Sequence, residues 1–173
     1  MIRGVCDSII KWELFNNEDI FNKFPLDEWN LIVTDIYSQK EWQEFIYEYS
    51  NLVCCFIMRT CYDNKEIAFA YLYNEDGKFK TVSFHGGGWN KSIYHTLLYY
   101  RGAVILIKAL LDFGIKVRTS CLISNKTAYR FLKSIGFVNY LNSKNYHYYW
   151  INNNRLEKSS IYKYINKKYS TNI

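Results

Sequence analysis

Two hydrophobic periods alternate along these 173 residues, and they divide the chain into strands and helices. Val53 to Thr60 is apolar and β-branched enough for a buried strand, and Asp63-Asn64 marks a turn after it. A second strand is predicted over Ile67 to Tyr73. It is closed by Asn74-Glu75-Asp76-Gly77, whose Asp-Gly pair signals a hairpin, and a third strand follows over Phe79 to His85. Gly86-Gly87-Gly88 is expected to end that strand as irregular backbone. The period then lengthens. A helix is predicted from about Ser92 or Tyr99 to Phe113 with Gly114 as its stop, followed by a strand over Val117 to Ile123. Ser124 or Asn125 caps a second helix running to Ile135, which Gly136 ends. Val138 to Leu141 and Tyr146 to Asn152 form a closing hairpin.

The two ends of the chain read as helical. Asn17 to Lys23 predicts a short helix before Pro25. Lys40 to Tyr49 predicts a clearer one, with Trp42, Phe45, Ile46 and Tyr49 at i, i+3, i+4 and i+7. The last twenty residues predict a basic helix with Ile161, Ile165 and Tyr169 on one side. The expected fold is a single α+β domain over residues 1–173: a mixed, mostly antiparallel sheet flanked by helices, with 1–50 a helical segment and 154–173 an appended basic helix.

Composition narrows the classes. Hydrophobic residues make up 49% and aromatic residues 19%, which excludes a disordered chain, and a single proline excludes Pro-rich classes. The cysteine count is five, an odd number, and no CxxC pair occurs, so free thiols in a cytoplasmic protein are expected and no metal is. The most apolar stretch, Ala103 to Phe113, is interrupted by Lys108 and Asp112 and is too short to span a bilayer, so no membrane partner is expected. The net charge is +6 but unevenly spread: residues 1–50 hold four basic and ten acidic side chains, and the remainder is strongly basic. That asymmetry suits a cationic ligand at one end and a polyanion at the other, or only differing solvated faces.

One segment carries a resemblance. Asn125-Lys-Thr-Ala128-Tyr-Arg-Phe131-Leu132-Lys-Ser-Ile135-Gly136-Phe137 resembles the pattern N-x-x-A-x-x-x-Y-x-x-x-G-F of the GNAT superfamily of acyl-CoA-dependent N-acyltransferases. There it marks the helix after the fifth strand and the entry to the sixth. Arg101-Gly102, ahead of an apolar stretch, resembles the start of the family's pyrophosphate loop. The resemblance spans roughly residues 53–150. It implies a GNAT-like fold, acetyl-CoA as co-substrate, and a small-molecule or protein amine as acceptor, with the acidic N-terminal third on the acceptor side. It further implies cofactor contacts from Phe84 on the third strand, from Arg101, Gly102 and Ala103 at the loop, and from Asn125, Ala128 and Arg130 at the second helix. A helix N-terminus suits a pyrophosphate, and two parallel strands that splay apart suit an extended pantetheine arm.

The departures are specific. Tyr99-Tyr100-Arg101-Gly102-Ala103-Val104 lacks the family's leading Gln/Arg and its last small residue. The other register starts the helix near Ser92, with Gly86 to Asn90 as the loop and Gly102 inside the helix at a cost of about 1 kcal/mol. Residues 79–88 hold no carboxylate for the family's usual base, which leaves His85 as the titratable group. Leu132 occupies the position of the family's proton-donating tyrosine, with Tyr129 one turn earlier as the remaining phenol. His85 and Tyr129 are therefore the catalytic candidates, each with a packing role as its alternative. Two readings of function stay open: an N-acetyltransferase, or a GNAT-like module retained for binding or structure without catalysis. A nucleic-acid role for the basic tail (Arg155, Lys158, Lys163, Lys167, Lys168) lacks any recognised motif and is not expected.

Overall fold

The computed structural model describes residues 4–15, 48, 53–88 and 93–169. Among the described residues, eight strands form one mixed sheet: β1 (Gly4–Cys6), β2 (Ile10–Phe15), β3 (Val53–Thr60), β4 (Glu66–Asn74), β5 (Thr81–Gly88), β6 (Lys116–Leu122), β7 (Val138–Asn142) and β8 (Tyr146–Ile151). Their spatial order is β1-β2-β3-β4-β5-β6-β8-β7, antiparallel throughout except where β5 meets β6. That one parallel pair is joined by helix α1 (Ile93–Asp112), the crossover a parallel pair requires. Helix α2 (Lys126–Ile135) links β6 to β7, and α3 (Asn153–Lys158) and α4 (Ser160–Tyr169) follow the sheet. The single-domain α+β reading holds, with the order of elements as expected over residues 53–151.

The differences have local causes. The segment read as helical opens with β1 and β2, where Ile10 and Trp12 alternate into the core and pair against Thr60 and Met58 of β3. Of the two helices expected before residue 50, both lie outside the described residues apart from Glu48, which is helical. β5 begins at Thr81 rather than Phe79, because Asp76 Oδ1 accepts from the Lys78 and Lys80 amides and Phe79 sits at φ 54°. The triglycine is regular strand, not an irregular end: Gly86, Gly87 and Gly88 pair with Ala70, Phe69 and Ala68 of β4. A side chain at Gly86 would bring its Cβ to 2.6 Å from the Phe69 carbonyl oxygen, so the close pairing itself selects glycine.

The C-terminal helix is two helices, broken at Ser159, whose extended backbone caps α3 and whose Oγ accepts from the Tyr162 amide. It is built into the core rather than appended. Leu156 and Ile165 are buried in the same cluster as α1 and α2. That cluster joins one face of the sheet (Trp12, Phe56, Met58, Leu72, Val82, Phe84) to the helices, and each fully buried large side chain in it contributes about 1.5–3 kcal/mol. The described parts of the opposite face carry Cys55, Ile57, Phe69 and Tyr71, all buried. No helix among the described residues is long and apolar enough to cross a membrane.

Candidate functional site

The parallel ladder between β5 and β6 is three residues long: Thr81 pairs with Lys116, Val82 with Val117, and Ser83 with Arg118. Beyond that point β5 continues to Gly88 bonded to β4 alone, and β6 continues to Leu122 bonded to β8 alone. The two strands part, and the edges of 84–88 and 119–122 that face each other do not pair with one another. The sheet is therefore slit from its middle to one end. α1 begins five residues after β5 ends, and α2 begins four residues after β6 ends, so both helix N-termini lie at the open end of the slit. Their amides and positive dipole ends suit an anion there.

The two faces of the slit differ chemically. Phe84 points into the core and is buried, whereas Ser83 and His85 lie on the opposite face. His85 sits opposite Tyr71 in the β4–β5 ladder, and the rings stack with centroids 4.9 Å apart and planes 12° from parallel. Ser83 Oγ lies 3.3 Å from His85 Nε2. Burial pushes the imidazole pKa down to about 4, so the ring is neutral at pH 7 and accepts a hydrogen bond or proton only weakly.

On the helical face, Asn125 caps α2: its Oδ1 accepts from the Ala128 amide at 2.9 Å. Gly136 ends the helix at φ 105°, with its N–H bonded to the Leu132 and Lys133 carbonyls. Leu132 is buried in the core, and Ala128 is half-buried against it. Tyr129 and Arg130 are exposed, and Lys133 Nζ lies 5.9 Å from the centroid of the Tyr129 ring. α2 is held to α1 by Phe131, which stacks on Tyr99 at 4.9 Å between centroids and meets the Tyr100 ring tilted at 4.7 Å. Burial raises the Tyr99 phenol well above its ordinary pKa. Cys121 is a buried thiol on β6, as its apolar strand implied.

The loop register at Arg101, Gly102 and Ala103 is wrong. All three lie in the interior of α1 and are buried, so they cannot form a loop open to a pyrophosphate. Arg101 Nε is bonded to Asp7 Oδ2 in the β1–β2 turn, tying the helix to the first hairpin. Gly102 has a packing reason. A Cβ there would overlap Met58 Sδ and come within 3.2 Å of the Trp12 indole, whose Nε1 donates to the Gly102 carbonyl at 2.8 Å. The other register, with α1 starting near Ser92, matches the observed start at Ile93. Trp89, Asn90 and Ser92 lie outside the described residues.

The structure thus brings Phe84, His85 and the N-terminus of α2 to the slit, and it withdraws Arg101, Gly102 and Ala103 from it. His85 and Tyr129 do not touch: one is on the sheet face away from α1, the other on α2. The splayed strand pair that the resemblance implies is present, and its ladder ends at Ser83 and Arg118. No family model matches the sequence, and no curated protein matches it. The fold, however, is that of the GNAT N-acetyltransferases. A solved structure described as a nucleotide-linked sugar GNAT, FdhC, is similar at TM-score 0.65 and 16% identity over 96% of both chains. A GCN5-related N-acetyltransferase from Brucella melitensis is similar at TM-score 0.66 and 11% identity, over 94% of this chain and 84% of that one. RimJ from Mycobacterium smegmatis, solved with CoA-disulfide, is similar at TM-score 0.64 and 9% identity, over 95% and 94%.

Proposed function

We propose that this chain is an acetyl-CoA-dependent N-acetyltransferase whose co-substrate lies in the slit between β5 and β6. The slit carries the reading. A pantetheine arm has amides spaced along an extended chain, and the facing edge of 84–88 offers unladdered N–H and C=O groups at strand spacing. The two helix N-termini at the open end receive the phosphates, with Lys126 and Arg130 as exposed cations on α2. The thioester supplies the acetyl group: a C–N bond forms to the amine, the C–S bond breaks, and the amine proton ends on the sulfur. His85, neutral above about pH 4, accepts the amine proton directly or through water, and Tyr129 is the phenol within one turn of the position Leu132 fills. A small-molecule or protein amine is the acceptor, and five cysteines outside any disulfide fit a cytoplasmic setting.

The weak basicity of His85 and the apolar Leu132 favour a second reading, a binding module on the same scaffold. One experiment separates the outcomes. Acetyl-CoA is titrated calorimetrically, and CoA release is then followed over a panel of amines. A ligand at 100 times its Kd adds about 2.7 kcal/mol and should raise Tm by several degrees. Binding with turnover supports the transferase, binding without turnover on any amine supports the module, and neither heat nor a Tm shift ends both.

A further inference from the structure

A second concavity lies at the opposite end of the sheet from the slit, where β5 and β6 are still zipped. It encloses about 720 Å³, within the usual range for small-molecule sites. Its apolar part comes from Leu111 and Ile115 around the end of α1. Its chemistry comes from four other side chains. Lys116 and Arg118 are two residues apart on β6 and so share one face, pointing away from the core that Val117 enters. Trp150 is the cross-strand partner of Arg118 in the β6–β8 ladder, and the Arg118 guanidinium lies 5.7 Å from the centroid of Tyr140. Two cations are thus set beside two aromatic rings, Tyr140 with the Arg118 guanidinium over one face and Trp150 with the Arg155 guanidinium 5.6 Å from its centroid, which leaves one face of each ring for a ligand.

None of the described residues lining this cavity is acidic. Glu75 reaches Arg118 from outside, with Oε2 at 3.2 Å from Nη1, but both side chains are partly exposed. Such a pair is weak, and a phosphate, with more charge and more acceptor oxygens, displaces it. The Asn154 amide on the rim adds a group that both donates and accepts.

We propose that this cavity is a binding site for a phosphorylated ring compound of the nucleoside monophosphate class. The phosphate sits at Lys116 and Arg118, and the base lies flat against Trp150 or Tyr140. The site uses the zipped half of the strand pair and shares no residue with the slit, so it stands whether or not the chain is a transferase.

The test uses the full chain and adenosine monophosphate as probe, titrated calorimetrically beside adenosine, inorganic phosphate and ribose 5-phosphate. Adenosine monophosphate should bind, with each of the other three at least tenfold weaker. Arg118→Gln and Lys116→Gln should each weaken it at least fivefold. Both side chains are exposed, so Tm should hold; if Arg118→Gln lowers it, Lys116→Gln alone carries this arm. No heat with adenosine monophosphate overturns the site. So does equal binding by the wild type and the Lys116→Gln variant, which would put the nucleotide elsewhere. Inorganic phosphate or ribose 5-phosphate binding as tightly as adenosine monophosphate overturns the base-stacking role of the aromatic walls.

Discussion

α1 and α2 lie on the same face of the sheet and are held in place by different means. α2 is a ten-residue amphipathic helix whose limits are written locally: Asn125 closes its first turn and Gly136 its last. α1 is twenty residues long and is defined by what it covers, with Ala103, Leu106 and Ile107 wholly buried and Gly102 pressed onto Trp12 and Met58. A helix fixed by its caps shows its boundaries in the sequence. A helix fixed by packing shows its presence, but its glycine reads as a loop until the neighbour is known.

That contrast orders the expected effects of substitution. Gly102→Val should be the most damaging, at about 3 kcal/mol or more in urea unfolding, because the new side chain meets Met58 and the Trp12 ring. Gly102→Ala combined with Met58→Ala should be less destabilised than the two single losses summed. Strict additivity would mean that Gly102 is not chosen by this contact. On α2, Gly136→Ala should cost about 2 kcal/mol, since φ 105° disfavours any side chain and the added Cβ would lie 2.6 Å from the Arg155 carbonyl oxygen. A loss under 0.5 kcal/mol there would remove the role of this cap in seating α2 on α3. Asn125→Ala should show the smallest effect, about 1 kcal/mol, largely restored by Asn125→Asp or Asn125→Ser. If neither restores stability, the side chain does more than cap.

The same distinction explains what was legible. Strands β3 to β8 announce themselves by apolar runs and turn residues, and the need for a crossover between β5 and β6 follows from one intervening helix. β1 and β2 do not, because the Ile10-Trp12-Leu14 alternation is short and begins among polar residues, so its period of two is faint. The triglycine reads as broken strand because a glycine run weakens an isolated strand, whereas β4 supplies the pairing that makes it regular. In the candidate site, Asn125 and the helix it caps were visible, as was the lone imidazole at His85. Arg101 reads as a phosphate-binding residue in a short motif, because its partner Asp7 lies 94 residues earlier in the chain. How far the parallel ladder extends could not be read at all, since it depends on how two strands diverge in space.

Three rungs join the two halves of this sheet, and past them each strand presents peptide groups instead of side chains to the gap. Exchange of one amino acid for another leaves a peptide group as it was. Nearly every side chain around such a groove can therefore be replaced while its main-chain walls stay chemically the same.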